Sequence, residues 1–415
     1  MIASHDDTGD NATANIHWKA LAVCVVAAMV EGYDTQVLAY VAPLISREWG
    51  LRPGAFGPTF SASLLGLMLG CMFVAPLADR LGRRWIIAGS TLAYGILILA
   101  TASVDHLNAM FWLRFVTGLG LGGALPNLAA MAAESAPAHR RTTAVAILFC
   151  GFGLGSFLGS IVAAVLMNSY GWQSVFVFGG AASLVLVPIL VFALPRTAPA
   201  KASAKQQPIP VAELFRKDRR RATIALWIVY FMGLMDLYLL QSWLPTIVNA
   251  QGMSLELSSI ISGLMQIGGI TGALIMGPIV DRKGHYPILP AAYGLAAASI
   301  AAIGLTGDSV VLTGVAIFCA GFGIVGCQNC NSGVAAIFYP ANLRATGIGW
   351  ALGIGRAGSI IGPWVVGVLL ATMVDFHIIF MFSALPAICA ALAYLWLGRQ
   401  RDLARSDAIP ALHMR

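Results

Sequence analysis

Five ionisable side chains lie inside long apolar stretches of the sequence, where a charge is costly. They are Glu31, Asp34, Arg114, Asp236 and Arg356. A charged side chain at the centre of a bilayer costs at least about 2.5 kcal/mol on insertion scales, so a residue kept there needs a partner or a purpose. A carboxyl group in such a place is suited to proton exchange, and a guanidinium offers a planar two-pronged donor for a carboxylate. These residue types therefore predict proton exchange and anion binding at membrane depth.

The two acids of the first apolar stretch belong to one tetrad, Glu-Gly-Tyr-Asp at 31–34. A spacing of three places the carboxyl groups of Glu31 and Asp34 on one face of a helix, with their Cβ atoms about 5–6 Å apart. Burial and like charge make it costly to ionise both, so one of the pair is a candidate proton carrier. The alternative is that one acid permanently neutralises Arg114. The candidates for proton coupling are Asp34, Glu31 and Asp236.

The composition indicates whether the elements that hold these residues lie in water or in a membrane. Of the 415 residues, 58% are hydrophobic and 10% are charged, and the mean hydropathy is +0.80. Soluble domains carry about 25% charged residues, so a water-soluble enzyme, a disulfide scaffold and a disordered chain are excluded. A spanning helix needs about 20 apolar residues, and about a dozen spans fill the chain. The apolar runs predict twelve helices at approximately 18–47, 55–79, 84–103, 108–135, 140–168, 171–195, 221–250, 255–280, 286–306, 308–339, 345–373 and 376–398.

A polar segment after the sixth run divides the chain into two halves. We predict an N-terminal tail, a six-helix bundle, a linker, a second six-helix bundle and a C-terminal tail, at 1–17, 18–195, 196–220, 221–398 and 399–415. Of the 25 Lys and Arg residues, all but four lie at one set of alternating helix ends, in the linker or in the tails. By the positive-inside rule that set is cytoplasmic, together with both termini. The net charge of +7 is therefore a topology signal, and we expect no nucleic-acid partner.

The two halves repeat each other. A shift of 202 residues places Asp34 on Asp236, and it places Asp-Arg-x-Gly at 79–82 on the same pattern at 281–284. A shift of 203 residues continues the match with glycines and with Arg141 on Arg344. Charged residues in register at nearly one offset indicate parallel repeats, a construction common in transporters.

Two parallel six-helix repeats, each with a charged loop after its second helix, resemble the major facilitator superfamily along the whole chain. The strongest motif is Ala-Pro-Leu-Ala-Asp-Arg-Leu-Gly-Arg-Arg at 75–84, with Ala75 where the family usually has Gly, and 277–284 repeats it with the Gly in place. The resemblance implies an all-α integral membrane protein with twelve transmembrane helices in two pseudo-symmetric six-helix bundles. It also implies that these loops latch the bundles during alternating access, although Arg83 and Arg84 could equally serve topology alone. The gating candidates are Asp79, Arg80, Arg83, Arg84, Glu134, Asp281, Arg282 and Arg344.

The tetrad at 31–34 supports a narrower resemblance, to the aromatic acid:proton symporters. That family carries Asp-Gly-x-Asp there, and this chain has Glu31 for the first Asp; the segment 114–134 looks like the hydroxyphenylpropionate branch. An aromatic acid would need a guanidinium for its carboxylate, for which Arg356 is the first choice and Arg114 the second. The alternatives for Arg356 are an ion pair with Asp236 or capping of backbone carbonyls in Gly-rich packing, and polar residues on the helices could instead join helix to helix. The substrate-binding candidates are Arg356, Arg114, Tyr33, Tyr238, Gln241, Trp243, Gln328 and Asn331.

The resemblance implies a proton-coupled secondary transporter that imports an aromatic monocarboxylate of the benzoate, hydroxybenzoate or hydroxyphenylpropionate type. We expect a multi-pass protein of the cell (inner) membrane, a monomer whose partners are its small aromatic acid and the lipid bilayer. No enzymatic activity is expected, because the apolar stretches contain no nucleophile with a base and no metal cluster. We expect no metal and no cofactor, with the proton as coupling ion. The alternative is a transporter of the same fold for another small organic anion or a sugar.

Overall fold

The spanning helices dominate the computed structural model, which describes residues 17–195, 211–216, 219–307, 309–339, 341–372 and 376–412. Within these ranges, twelve helices are long and apolar enough to cross a membrane, which confirms the number of spans predicted from the sequence. Their bounds are α1 Trp18–Glu48, α2 Gly57–Leu81, α3 Arg83–Thr101, α4 Leu107–Glu134, α5 Arg141–Tyr170, α6 Trp172–Ala193, α7 Arg220–Ala250, α8 Leu255–Lys283, α9 His285–Ile303, α10 Val310–Phe338 and α11 Ala341–Ala371, with α12 in two parts, Phe376–Ser383 and Leu385–Leu412. The predicted N-terminal tail up to residue 16 and most of the predicted linker lie outside the described residues.

Small residues allow the helices within each bundle to touch. A Cβ atom added to Gly32 or Gly155 would overlap the backbone of the facing helix, because α1 and α5 pack against each other there. The second bundle repeats this contact, since Gly358 of α11 lies equally close to the backbone of α7 at Phe231. Lipid tails provide no hydrophobic drive for one helix to meet another, so close contact of small residues takes that role. The same contact in both halves makes the bundles pseudo-symmetric.

Two of the twelve spans are less regular than the apolar runs predict. In α2, a π-helical turn at Gly70–Val74 and a 3-10 turn at Ala75–Leu77 interrupt the α-helix. Pro76 has no N–H to donate to the ladder, which accounts for the change of helix type beside it. In α12, the break between Ser383 and Leu385 comes just before Pro386, for the same reason.

The turn after α2 and the turn after α8 have the same geometry. Gly82 has φ +87° and Gly284 has φ +85°, a left-handed conformation that residues with a Cβ rarely adopt. Each glycine closes an Asp-Arg-x-Gly motif, so the sequence repeat corresponds to a repeated sharp turn. The motif thereby fixes where the next helix begins, at Arg83 and at His285.

The two bundles meet in one half of their length. We call the helix ends that carry Arg83, Arg141 and Arg282 the basic end. Away from it, helix pairs α1–α7, α2–α11 and α5–α8 bring the bundles into contact. Three hydrogen bonds between the bundles lie in this half, namely Gln36 to the Gln241 carbonyl at 2.6 Å, Arg47 to Asn249 at 2.8 Å and Ser61 to the Ile360 carbonyl at 2.7 Å. The structure is therefore closed between the bundles at the end opposite the basic end.

Candidate functional site

A cavity lies between α1, α2, α4 and α7, where the two bundles face each other. We call it the central cavity; it has about 540 Å³ of empty space, partly continuous with solvent. The predicted residues that line it are Asp34, Arg114, Tyr238 and Gln241, and the apolar part of the wall includes Phe60, Leu38, Leu64 and Leu67. One acid and one guanidinium from the first bundle thus face a phenol and an amide from the second.

Asp34 is wholly buried and held on one side only. Its Oδ2 accepts a hydrogen bond of 2.7 Å from the Ser183 hydroxyl of α6, while its Oδ1 has no hydrogen-bond partner among the described residues. Gly179, one turn before Ser183, leaves the space that the carboxyl group occupies, because a Cβ there would lie 2.5 Å from Oδ1. The geometry leaves one oxygen of Asp34 available for a proton or a ligand.

Arg114 is 2% exposed and is held by two other helices of its bundle. Its Nη2 donates to the Thr101 hydroxyl at 3.0 Å, and its guanidinium carbon lies 5.1 Å from the centre of the Phe176 ring. Arg114 attracts Asp34 electrostatically, but no ion pair within 4.0 Å joins them. The geometry therefore does not favour the alternative in which an acid permanently neutralises Arg114 by direct contact. A guanidinium oriented by Thr101 and Phe176 keeps donors for another anion.

Glu31 and Asp236 are buried acids whose carboxyl groups form no hydrogen bond with another described side chain. All four of their carboxyl oxygens lack a partner among the described residues. Glu31 lies near the backbone of α4 at Leu125, and Asp236 near the backbone of α12 at Ala387. Neither lines the central cavity.

Arg356 lies one hydrogen bond behind the cavity wall. Its Nη1 donates to the Tyr238 hydroxyl at 3.1 Å, and Tyr238 itself lines the central cavity. Asp236 and Arg356 form no ion pair, so the alternative role of Arg356 as a partner of Asp236 is not found between these two described residues. Arg356 can therefore influence the cavity through the phenol.

The remaining substrate-binding candidates lie away from the central cavity. The Tyr33 hydroxyl donates to the Val175 carbonyl at 2.8 Å, inside the first bundle. Trp243 donates from its indole to the Pro363 carbonyl at 2.9 Å. In the second bundle, Asn331 donates to Gln328 at 2.8 Å and accepts from Tyr394 at 2.5 Å. Tyr33, Trp243 and Asn331 each join one helix to another, which is the alternative role to substrate contact. Gln328 bonds to Asn331 within α10.

The gating candidates lie at the basic end. Arg83 and Glu134 form an ion pair that joins α3 to α4 within the first bundle. The Arg84 guanidinium lies 5.4 Å from the Trp85 ring centre and 3.4 Å from the Leu194 carbonyl. The side chains of Asp79, Arg80, Asp281 and Arg282 are exposed at the ends of α2 and α8. The side chain of Arg344 lies outside the described residues.

Four residues contribute to this geometry without having been predicted from the sequence. Ser183 binds Asp34, Thr101 and Phe176 hold Arg114, and Gln36 spans the gap between the bundles. The available signal was polarity: Ser183 and Thr101 are polar residues in apolar runs, although many such residues only bond to their own helix. Nothing in the sequence marks Phe176 as part of the site, because a single aromatic residue within an apolar run is common.

The fold and the repeated loops define a membrane transporter, and comparison with known proteins gives the same result. Residues 24–363 match the Major Facilitator Superfamily. The chain belongs to this superfamily. It is accordingly a multi-pass membrane transporter and not an enzyme, as the sequence analysis predicted.

Several relatives are similar over almost their whole length. The chain is 36% identical to the gallate transporter of Pseudomonas putida, covering 96% of this chain and 95% of the relative. It is 34% identical to the 4-hydroxybenzoate transporter PcaK of Acinetobacter baylyi, covering 92% of each, and 34% identical to the 3-(3-hydroxy-phenyl)propionate transporter of Escherichia coli, covering 92% and 94%. A solved structure with the same fold is a bacterial homolog to the human lysosomal transporter Spinster, in an inward-facing and occupied conformation, with a TM-score of 0.75, 16% identity and coverage of 92% and 97%. The relatives confirm the predicted resemblance to transporters of aromatic acids.

Proposed function

We propose that this protein imports an aromatic monocarboxylate together with a proton, by alternating access of the central cavity. The observation that supports it most is the joint presence of Asp34 and Arg114 on the wall of that cavity. Relatives that are 34–36% identical over nearly their full length carry gallate, 4-hydroxybenzoate or 3-(3-hydroxy-phenyl)propionate in their names. All three substrates combine one carboxylate with a flat ring.

Arg114 binds the substrate carboxylate in this proposal. It lines the cavity with its guanidinium already oriented, whereas Arg356 lies behind Tyr238. The geometry thus favours Arg114 over Arg356, reversing the order of preference taken from the sequence. A guanidinium suits this role because it stays charged when buried and binds a carboxylate with two parallel donors. The ring then packs against Phe60 and the leucines, and Tyr238 or Gln241 bonds a ring hydroxyl.

Asp34 couples the proton to the anion because it competes for the same guanidinium. When ionised, its carboxylate attracts Arg114 and repels the substrate carboxylate. Protonation of Asp34 removes both effects, so the proton strengthens anion binding, and by reciprocity the anion strengthens proton binding. Counting these three groups, the empty site and the fully loaded site are both neutral. A half-loaded site carries a net charge, which is costly to move through a membrane interior.

The direction of transport follows from the proposed orientation. The basic end is cytoplasmic in this proposal, because Lys and Arg accumulate in cytoplasmic loops. We place the protein in the cell (inner) membrane as a monomer with both termini inside, and with the proton as its only coupling ion. The end at which the bundles touch is then the outer end, so this conformation is closed toward the outside.

The test is uptake into proteoliposomes with an inward-directed proton gradient. The panel is benzoate, 4-hydroxybenzoate, gallate, 3-(3-hydroxyphenyl)propionate, acetate and glucose. Because protonated aromatic acids cross lipid unaided, protein-free liposomes give the background to subtract. We expect accumulation of one or more aromatic acids that collapses when a protonophore is added. Accumulation of acetate or glucose alone would contradict the aromatic substrate, and uptake indifferent to the protonophore would contradict the coupling.

A further inference from the structure

A second cavity lies between the bundles at the end opposite the basic end, and we call it the outer cavity. It has about 1,080 Å³ of empty space, partly open to solvent, between the outer parts of α1, α7 and α11 and the loop before α2. Its lining includes Arg47, Asn249, Thr246, Trp243 and Phe56. It contains no Asp or Glu among its lining residues. Arg47 therefore makes this surface attractive to an anion.

Arg47 is available to a ligand, but at present it ties the bundles together. Its side chain is exposed, and its Nη2 donates to Asn249 Oδ1 at 2.8 Å. Asn249 is fixed in turn, since its amide donates to the Met253 carbonyl at 2.8 Å. The neighbouring acid does not neutralise Arg47 by direct contact: Glu48 accepts a hydrogen bond of 2.6 Å from Trp172, and no ion pair within 4.0 Å joins the two side chains.

The sequence repeat explains why this tie crosses the interface. Arg47 and Asn249 are 202 residues apart, the same offset that relates Asp34 to Asp236. They occupy equivalent places near the outer ends of α1 and α7, the first helices of the two bundles. Equivalent residues close to the pseudo-two-fold axis face each other, so their bond must break when the bundles separate at this end.

Aromatic rings form the floor of the outer cavity. Trp243 and Phe56 line it, and Phe60, which lines the central cavity below, lies edge-on to Trp243 with ring centres 5.3 Å apart. The Trp243 ring is fixed by its hydrogen bond to the Pro363 carbonyl. The Phe60–Trp243 pair thus separates the two cavities. Its outer side is a flat apolar surface in the same cavity as the Arg47 guanidinium.

We propose that the outer cavity is a loading site for the aromatic carboxylate, in which Arg47 takes the carboxylate and releases Asn249. This inference rests on the proposed function and specifies how its substrate is first captured. The ring lies against Trp243 and Phe56 while the carboxylate replaces the amide oxygen on the guanidinium. An external anion thereby competes with a bond that keeps the bundles closed. Binding at the outer cavity favours opening of the path to the central cavity.

Two variants that remove the same hydrogen bond distinguish a loading site from a structural tie. Arg47→Met removes the bond and the charge. Asn249→Ala removes the bond, frees the charge and also removes the bond from Asn249 to the Met253 carbonyl. We measure initial rates of 4-hydroxybenzoate uptake in proteoliposomes, at a fixed proton gradient and over a range of external concentrations. Arg47→Met is expected to raise KM about tenfold and Asn249→Ala to lower it about twofold. A shift in the same direction and of similar size in both would overturn the loading site.

Arg52→Met is the matched control, because Arg52 is exposed at the same end and does not line the outer cavity. Its KM is expected to stay within about twofold of that of the unchanged protein. An increase equal to that of Arg47→Met would mean that positive surface charge in general, and not Arg47 itself, determines KM, and it would overturn the proposal. Arg47→Lys keeps the charge and should recover most of the lost affinity, which guards against misfolding as the cause. Absence of uptake by the unchanged protein would overturn the proposed function and the loading site together.

Discussion

Asp34 has one oxygen bonded to Ser183 and the other without a partner among the described residues, beside a cavity that Arg114 also lines. Asp34→Asn keeps the size and the hydrogen bond from Ser183 but cannot exchange a proton. We expect proton-driven accumulation of 4-hydroxybenzoate to fall at least about tenfold, which corresponds to about 1.4 kcal/mol of lost coupling. Exchange of internal for external substrate should persist, since that cycle needs no net proton movement.

Glu31→Gln is the companion variant in the same measurement. Glu31 is buried behind the cavity wall and lacks a polar partner among the described side chains, so neutralising it permanently should leave accumulation within about twofold. If instead Glu31→Gln abolishes accumulation and Asp34→Asn does not, the coupled proton belongs to Glu31.

Arg114 lines the central cavity and Arg356 lies behind Tyr238, so their variants should affect substrate affinity differently. Arg114→Gln removes a donor to the substrate carboxylate, and a hydrogen bond to a charged group is worth about 1.5–3 kcal/mol. We therefore expect the half-saturation concentration to rise about 30-fold. Arg356→Gln should change it much less and should act through Tyr238, so that adding Arg356→Gln to Tyr238→Phe changes nothing further. A larger loss from Arg356→Gln would return the carboxylate to Arg356.

The types of residue at the site could be predicted from the sequence, but their division into wall and support could not. Ionisable groups in apolar runs identified Asp34 and Arg114. A single helix face, however, does not reveal that Tyr33 points toward α6 while Asp34 faces the cavity, or that Trp243 lines the outer cavity instead of the central one. Those facts depend on how neighbouring helices are rotated. Helix rotation is set by contacts such as those of Gly155 and Gly179, which no single apolar run encodes.

Helix α6 supports the site through one glycine. A Cβ at Gly179 would lie 2.6 Å from the Tyr33 ring and 2.5 Å from Asp34 Oδ1, so Gly179→Ala must displace α6 or the side chains of Tyr33 and Asp34. Overpacking of this kind costs about 1–3 kcal/mol, and here it also stretches the bond from Ser183 to Asp34. We expect a lower melting temperature in detergent and at least about a tenfold loss of uptake. Gly89→Ala is the matched control, because nothing lies within 4 Å of the added atom; equal behaviour of the two variants would refute this role for α6.

Helix number and repeat order follow from composition and from the offset of the two halves, because both depend on long stretches of sequence. The irregular turns in α2 and α12 depend on single prolines within apolar runs, and many prolines in membrane helices leave the helix unbroken, as Pro188 does in α6. The sequence therefore could not identify which proline would interrupt a helix.

The orientation of the whole molecule is testable with two exposed leucines. Leu305 lies in the loop after α9, at the end opposite the basic end, and Leu81 lies at the basic end of α2. With the seven native cysteines replaced, Leu305→Cys in intact cells should react with a membrane-impermeant maleimide. Leu81→Cys should react only after permeabilisation. The reverse pattern would place the basic end outside and would reverse the proposed direction of transport.

In the proposed alternating access, the contact between α2 and α11 forms and breaks, and Gly367 is one of the glycines that permit it to form. A Cβ at Gly367 of α11 would lie 2.9 Å from the Gly57 Cα and 3.0 Å from the Gly54 carbonyl oxygen, both in or just before α2. Gly367→Ala therefore disfavours the conformation in which the bundles touch at the end opposite the basic end, with no change to any group on the central cavity. A population shift that favours the outward-open conformation by about 1.4 kcal/mol changes the ratio of conformations tenfold.

We expect Gly367→Ala to increase maleimide labelling of a cysteine introduced at Leu51 of the outer cavity. Turnover should fall, because the cycle must pass through the disfavoured conformation. Gly353→Ala, on the same helix with nothing within 4 Å of the added atom, controls for the loss of a glycine from α11 and should leave both labelling and turnover unchanged. If Gly367→Ala reduced turnover without increasing labelling, its effect would be local damage to α11, and the α2–α11 contact would not be the surface on which the outer end closes.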